Sequence, residues 1–283
     1  MIRGFNIKVT ILIISLLVAA CNANSQPQEQ IEDPDSSPAN ASSTDSLALL
    51  DSAIVSSTDT DTSAADPQPE HLTIDFSSET IGAEPTSFIP TVGYWMISVD
   101  GDNTVLMVDG SKWSQGESSS NIAEQARALY GDRYAEFLDN VQAYAYYPFA
   151  VAKDVDNFTN GEITLRFKIL AGNIDQNAGI LFGLQPNGDY YTIRASTLED
   201  NLVLWQVVRG NRSSLEWIRD THTTGGEWHE LKVVINGTVV EGYIDGELYL
   251  THTFDIPPSG KIGVWSKSDS VAYFDDFTET ESP

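Results

Sequence analysis

Gly226-Glu227-Trp228-His229-Glu230-Leu231-Lys232-Val233, with Asn236-Gly237 after it and then Val239 to Ile244 ahead of Asp245-Gly246, is the stretch whose reading decides the fold. Two short alternating runs, Glu230 to Ile235 and Val239 to Ile244, flank Asn-Gly, and a third, Leu248 to Phe254, follows Asp-Gly. Asn-Gly and Asp-Gly between such runs are the strongest short-range hairpin signals, because both tolerate the positive φ that a tight turn requires.

The same phrasing extends in both directions. Upstream lie Leu72 to Phe76, Tyr94 to Val99 and Thr104 to Asp109, the last two joined at Asp100-Gly101. Glu162 to Leu170, Gly179 to Leu184, Tyr190 to Ala195 and Asn201 to Val208 follow, with Pro186-Asn187-Gly188-Asp189 as one joint. Lys261 to Lys267 and Val271 to Thr278 close the series. Strands joined by hairpins, without helices alternating between them, predict an all-β antiparallel sandwich instead of a parallel α/β sheet. One insertion departs from this. Over about 121–141, Ile122, Ala126, Leu129, Phe137, Leu138 and Val141 recur at mostly three- and four-residue spacings, a helical period. Asn121 with Glu124 resembles a capping box, and Gly131-Asp132 ends one short helix and starts another. The expectation is a packing helix that covers a sheet edge or one end of the sandwich, with a functional lid as the alternative.

The quoted segment resembles the concanavalin A-like, laminin-G-type jelly roll, in which a "W-H-x-L/V" strand leads by a turn into one ending in "Y-x-D-G", here Tyr243-Ile244-Asp245-Gly246. Gly161 to Phe167, Ala178 to Phe182, Gly263-Val264-Trp265 and Phe274-Asp275-Asp276-Phe277 fit the same pattern. The resemblance covers nearly all of 71–280 and is nearest the bacterial secreted branch named for 3-keto-disaccharide hydrolases. It implies a jelly-roll sandwich. The fold by itself does not fix the function, because it hosts lectins, glycanases and adhesion modules alike.

The N-terminus carries an address. Arg3 and Lys8 precede an apolar stretch from Val9 to Val18, and Val18-Ala19-Ala20-Cys21 follows. A basic start, a short apolar core and small residues read as a secretory signal, not as a membrane span. With Cys21 next, the pattern resembles a bacterial lipoprotein lipobox. This implies a signal over 1–20, a lipid on Cys21 as the membrane partner, and a secreted, lipid-anchored protein of the outer membrane, periplasm or cell surface. Cys21 is the only cysteine, so no intrachain disulfide forms. Residues 21–70 contain ten acidic residues and no Lys or Arg after the cysteine. Such a segment buries too little apolar surface to offset its ordering entropy, and it predicts a disordered acidic tether ahead of a sandwich at 71–283. Residues 71–283 have 31 Asp+Glu against 13 Lys+Arg, a net of −18, which argues against nucleic acid or anionic lipid as a partner.

No catalytic motif is legible. Glu-x-Asp-x-x-Glu and Glu-x-Asp-x-Glu, the signatures of family-16-like glycanases on this fold, do not occur. Glu241 and Asp245 share a strand face but would lie about 13 Å apart, too far for a glycosidase pair at roughly 5 to 9.5 Å. Asp154 and Asp156 are the remaining weak catalytic candidates, with a solvated loop as the alternative. The superfamily often holds a structural Ca²⁺ between its first and last strands, which makes Asp75, Asp275 and Asp276 candidate ligands; no other cofactor is expected. The best candidate ligand face is Tyr190, Thr192 and Arg194, which share one side of a strand, with Asn201 nearby and Trp217 as a stacking platform. That face is either a groove for a glycan or ordinary sheet packing with Arg194 in a salt bridge. Trp205, alternating with Val203 and Val207, reads as core. Three functions stay open: non-catalytic glycan or glycoconjugate binding, a hydrolase or lyase on a (keto-)disaccharide or polysaccharide, and a structural or protein-interaction module.

Overall fold

The computed structural model describes residues 71–114, 122–138 and 146–282. The expected signal, Cys21, the tether, Asn121 and the end of the helical insertion lie outside the described residues. In chain order the elements are β1 (His71–Ile74), β2 (Phe88–Val92), β3 (Trp95–Asp100), β4 (Asn103–Asp109), α1 (Ser111–Ser114), α2 (Ile122–Tyr130), a 3-10 turn (Gly131–Arg133) and α3 (Tyr134–Leu138). Then follow β5 (Phe149–Ala152), β6 (Gly161–Ala171), β7 (Asn177–Leu184), β8 (Tyr190–Ser196), β9 (Asn201–Val208) and β10 (Asn211–Arg219). The chain closes with β11 (His229–Asn236), β12 (Val239–Ile244), β13 (Glu247–Thr253), β14 (Lys261–Ser266) and β15 (Val271–Glu281).

These strands form an antiparallel jelly-roll β-sandwich with a short helical insertion. The first sheet runs β13-β12-β11-β6-β15-β4-β3, with β1 also paired to β15; the second runs β10-β9-β8-β7-β14-β5-β2. Between them lies one apolar layer. From the first sheet come Ile163, Leu165, Phe167 and Ile169 of β6 and Leu231, Val233 and Ile235 of β11; from the second, Ala178, Ile180 and Phe182 of β7, Ile193 and Ala195 of β8, and Leu202 and Leu204 of β9. Alternation sets this: in β6 the residues between those four point outward and are only partly covered or exposed.

The segment that opened the sequence reading is a clasp. Asp245 and Gly246 take φ of 50° and 82° in a two-residue turn that pairs Ile244 with Glu247. From that turn Asp245 reaches back to β11. One carboxylate oxygen accepts the Glu230 N–H at 2.8 Å, and the other lies 2.8 Å from His229 Nδ1. His229 Nε2 accepts the Thr224 N–H at 2.9 Å, which makes Nδ1 the donor to Asp245. Trp228 Nε1 donates to Asp100 at 2.8 Å. The Trp-His and Asp-Gly pieces of the motif therefore hold the first sheet together.

The helical insertion divides at Gly131, as the sequence predicts. It reaches the edge strand β2 and spreads from there over part of a sheet face. Ile122, Ala126 and Phe137 pack with Val92, Phe149, Val151, Leu181, Leu184, Tyr190, Val207 and Trp265, on the outer face of the second sheet.

Candidate functional site

The outer face of the second sheet changes character along its strands. The register places Leu181 of β7 beside Thr192 of β8 and Gly179 beside Arg194. Tyr190, Thr192, Arg194 and Ser196 in turn lie beside Val207, Trp205, Val203 and Asn201 of β9. At one end Leu181, Tyr190 and Val207 lie in the apolar cluster with the helices. At the other end stand Asn177, Arg194, Ser196 and Asn201, all buried and all polar.

Arg194 is the centre of that polar end. One Nη donates to Glu199 at 2.9 Å and the other to Asn201 Oδ1, while Asn201 also donates to Glu199 at 3.3 Å. Burial pulls the guanidinium pKa down to about 10; Glu199 opposes this and nearby Arg212 adds to it. Arg194 stays charged at neutral pH. Its Cζ lies 5.9 Å from the Trp205 ring centre and 5.8 Å from that of Trp217. The two indoles meet edge to face at 5.5 Å. Arg212, from β10, lies 3.8 Å over Trp205 and 5.3 Å from Tyr147, and Tyr147 stacks on Trp265 at 5.9 Å.

Below Arg194 the sheet is kept thin by Gly179, where a Cβ would come within 2.8 Å of both Arg194 Cβ and the Ile193 carbonyl oxygen. Asp175 accepts from Lys267 at 2.6 Å and from Asn177 at 3.2 Å. Asp269 braces that loop by accepting the N–H groups of Asn173, Ile174 and Asp175. Burial raises its pKa, but those backbone donors outweigh it and hold the carboxyl below its usual value. Four polar atoms of this face are buried without a hydrogen-bond partner among the described residues: Arg194 Nε, Trp205 Nε1, Arg212 Nη1 and Asn177 Oδ1. Two clefts, of about 360 and 410 Å³, share Tyr191 and Gln206 and continue to Ile256; neither is lined by Arg194, Trp205 or Trp217.

The structure thus sorts the sequence-based candidates. Arg194, Asn201 and Trp217 come together, and Trp217 presents 43% of its surface to solvent. Tyr190 lines the cleft of about 360 Å³ with Tyr191 and Gln206, away from Arg194, and Thr192 lines neither cleft. Tyr190 is buried with the helical cluster and accepts a hydrogen bond from Trp265 Nε1 at 3.0 Å, while Thr192 donates to the Ile180 carbonyl at 2.9 Å. Trp205 is buried, as a core residue should be, but on the outer face beneath Arg212 and not between the sheets. Asp154 and Asp156 form no catalytic dyad: both are exposed loop residues, and Asp156 is taken by Lys261 at 2.8 Å. Asp75, Asp275 and Asp276 have separate occupations. Asp75 caps Ser77, Asp275 accepts from Asn103 at 2.6 Å, and Asp276 pairs with Arg166 at 3.1 Å. Burial raises the pKa of Asp275 above its ordinary value. Among the described residues no group of three or more His, Cys, Asp or Glu is placed to hold a metal ion. Arg212, Tyr147, Trp265 and Asn177 were missed as site residues. The signal for the first was its position five residues before Trp217 in a run too polar for core.

Two antiparallel sheets packed face to face, with an aromatic-rich outer surface on the second, define the class as a jelly-roll β-sandwich. Within it, residues 147–278 match the family model described as the 3-keto-alpha-glucoside-1,2-lyase-like domain. Among solved structures, the chain is similar to the carbohydrate-binding module CBM66 from Bacillus subtilis, with 13% identity over 71% of this chain and 99% of that one, at a TM-score of 0.50. A putative glycosyl hydrolase from Parabacteroides distasonis aligns over 71% of this chain and 91% of its own, at 17% identity and a TM-score of 0.41. At such identities the likeness concerns the fold. No curated protein matches the chain.

Proposed function

We propose that this domain binds a glycan, without turning it over, at the polar end of the outer face between Arg194, Trp205, Arg212 and Trp217. The observation that carries the reading is the set of four buried, unpartnered polar atoms beside a half-exposed tryptophan. Each such atom costs about 1–3 kcal/mol when left unpaired, and hydroxyls arriving on a pyranose ring remove that cost. The apolar C–H faces of the same ring suit an indole. Both carboxylates that reach the cluster are already held by cations, Glu199 by Arg194 and Asp175 by Lys267, which leaves neither free for acid–base work.

The test is a glycan array followed by thermal-shift titration of the purified protein. A saccharide that raises the melting temperature of the wild type, and does so no longer in Trp217→Ala, supports the site. No shift with any saccharide, on a folded protein, sinks it. The match to a lyase-like family favours a second reading, in which a 3-keto-glucoside is cleaved on this face. Product release from such a glycoside, measured by chromatography and lost in Glu199→Gln, would replace binding with turnover. We also propose, from the lipobox-like Val18 to Cys21, that the domain is lipid-anchored; Cys21→Ser would then shift the protein from the membrane to the soluble fraction, and an unchanged distribution would refute it.

A further inference from the structure

We infer that the glycan taken by this face carries an oxyanion, a carboxylate or a sulfate ester on its ring, and that Arg212 receives it. This rests on the reading of the face as a glycan site.

Two guanidiniums converge on one indole here, Arg212 at 3.8 Å and Arg194 at 5.9 Å from the Trp205 ring centre. Their circumstances differ. Arg194 has Glu199 for its charge and Asn201 for its second Nη. Arg212 has rings on two sides and, among the described residues, no carboxylate within ion-pair distance, and its Nη1 is buried without an acceptor. Its strand neighbours Asn211, Ser213 and Ser214 are neutral. In a domain with 31 acidic and 13 basic residues, acceptors for a cation are abundant. Lys168, Lys232, Lys261 and Lys267 each hold one.

The local sum of Arg194, Arg212 and Glu199 is one positive charge, set into a surface that is otherwise strongly negative. That background repels an anion at long range, but at physiological ionic strength it is screened beyond about 8 Å. The contact at Arg212 therefore decides. The Arg212 guanidinium lies 3.8 Å from the Trp205 ring centre and 5.3 Å from that of Tyr147, contacts that restrict its rotamers. Its N–H fork matches the two oxygens of a carboxylate or the edge of a sulfate, and a lysine does not reproduce it. The sugar ring bearing the oxyanion then lies toward Trp217 and the unpaired Arg194 Nε. A neutral sugar fills the same ring site and leaves the charge of Arg212 uncompensated.

The test uses isothermal titration of the full chain with three probes: a uronate oligosaccharide, its neutral methyl ester, and a sulfated oligosaccharide on a neutral backbone. Charge-assisted bonding predicts that the uronate or the sulfated probe binds about 10- to 100-fold more tightly than the ester. The tighter of the two names the anion. In Arg212→Gln the ratio of the anionic probe's affinity to that of the ester falls to near unity, whatever affinity both lose, and Arg212→Lys, which keeps the charge, loses most of that ratio as well. Equal binding of uronate and ester overturns the inference and leaves the glycan reading standing. A preference that survives in Arg212→Gln overturns the assignment to Arg212. Failure of all three probes, together with a neutral-glycan panel, overturns both readings.

Discussion

Replacing Arg194 with methionine separates a strut from a ligand-binding group. A guanidinium whose pKa is pulled down from its ordinary value to about 10 carries a cost on its charged form of about 3 kcal/mol. The sign follows from the direction: a base with a depressed folded pKa is charged in both states at pH 7, so the cost is present there and is relieved only as pH rises past about 10. Arg194→Met removes this cost. Against it stand the lost donor to the buried Asn201 Oδ1, about 1–3 kcal/mol, and the lost approach to two indoles, about 0.5–1 kcal/mol each. Glu199, whose side chain is 42% exposed, returns to water. The opposing terms nearly cancel, and stability should change by no more than about 2 kcal/mol. For a domain of this size that is a melting-temperature change within about 8 °C, while saccharide binding is lost. Urea and thermal unfolding at pH 7 measure it. A structural buried pair broken at one side loses about 3–5 kcal/mol, and a loss in that range would refute the argument that Arg194 is held in place for a ligand.

Three further outcomes are expected. Gly179→Ala should destabilise by about 1–3 kcal/mol through overpacking and displace Arg194, because the added Cβ falls 2.8 Å from Arg194 Cβ and the Ile193 oxygen; an unchanged urea midpoint would contradict the close approach. Trp217→Ala should cost about 0.5–1.5 kcal/mol of stability through the lost ring pair with Trp205, yet reduce saccharide affinity at least 10-fold if it is a central contact; calorimetry separates the two. Burial raises the Glu79 pKa, but bonds from Ser87 and Thr86 outweigh it and leave it lowered. The stability this carboxylate supplies is thus present above its ordinary value of 4.5 and lost as pH falls through its lower folded value. Glu79→Gln should flatten that acid limb in pH-dependent unfolding, and a curve parallel to wild type would count against it.

What the sequence made legible was whatever a hairpin or an alternating run announces. All twelve strands predicted from such runs are present, several a residue or two longer than expected. The three strands that escaped have physical reasons. β2 carries Pro90 and lies at the edge of its sheet, where a missing N–H is tolerated. β5 is four residues buried throughout, without alternation. β10 is polar, lies at the opposite edge and is bulged between Ser214 and Glu216. The candidate site was half legible for a related reason. Period-two alternation finds two faces of a strand but does not say which is inner when both are covered. Val203 and Val207 are fully buried on the outer face, so Trp205 beside them read as core, and Tyr190 read as open because the helices above it come from a distant part of the chain.

The insertion explains why the site sits where it does. A second outer face as apolar as Leu181, Tyr190, Val207, Phe149 and Trp265 has to be covered in water, and α2 with α3 covers it. Two residues along a strand span about 6.6 Å, so Arg194 lies about 13 Å from Tyr190 on the same side of β8. Over that distance β7 passes from Leu181 through Gly179 to Asn177, and β9 from Val207 through Trp205 to Asn201. Sequence consistent with a packed sheet gives way in three adjacent strands, in the same direction, to buried polar groups, among which Asn177 Oδ1, Arg194 Nε and Trp205 Nε1 find no partner among the described residues. A packing requirement would have continued the apolar pattern, since replacing buried ions with apolar residues is often neutral or stabilising. Local rules broken together at one place, and only partly compensated by neighbouring side chains, point to a requirement imposed from outside the chain.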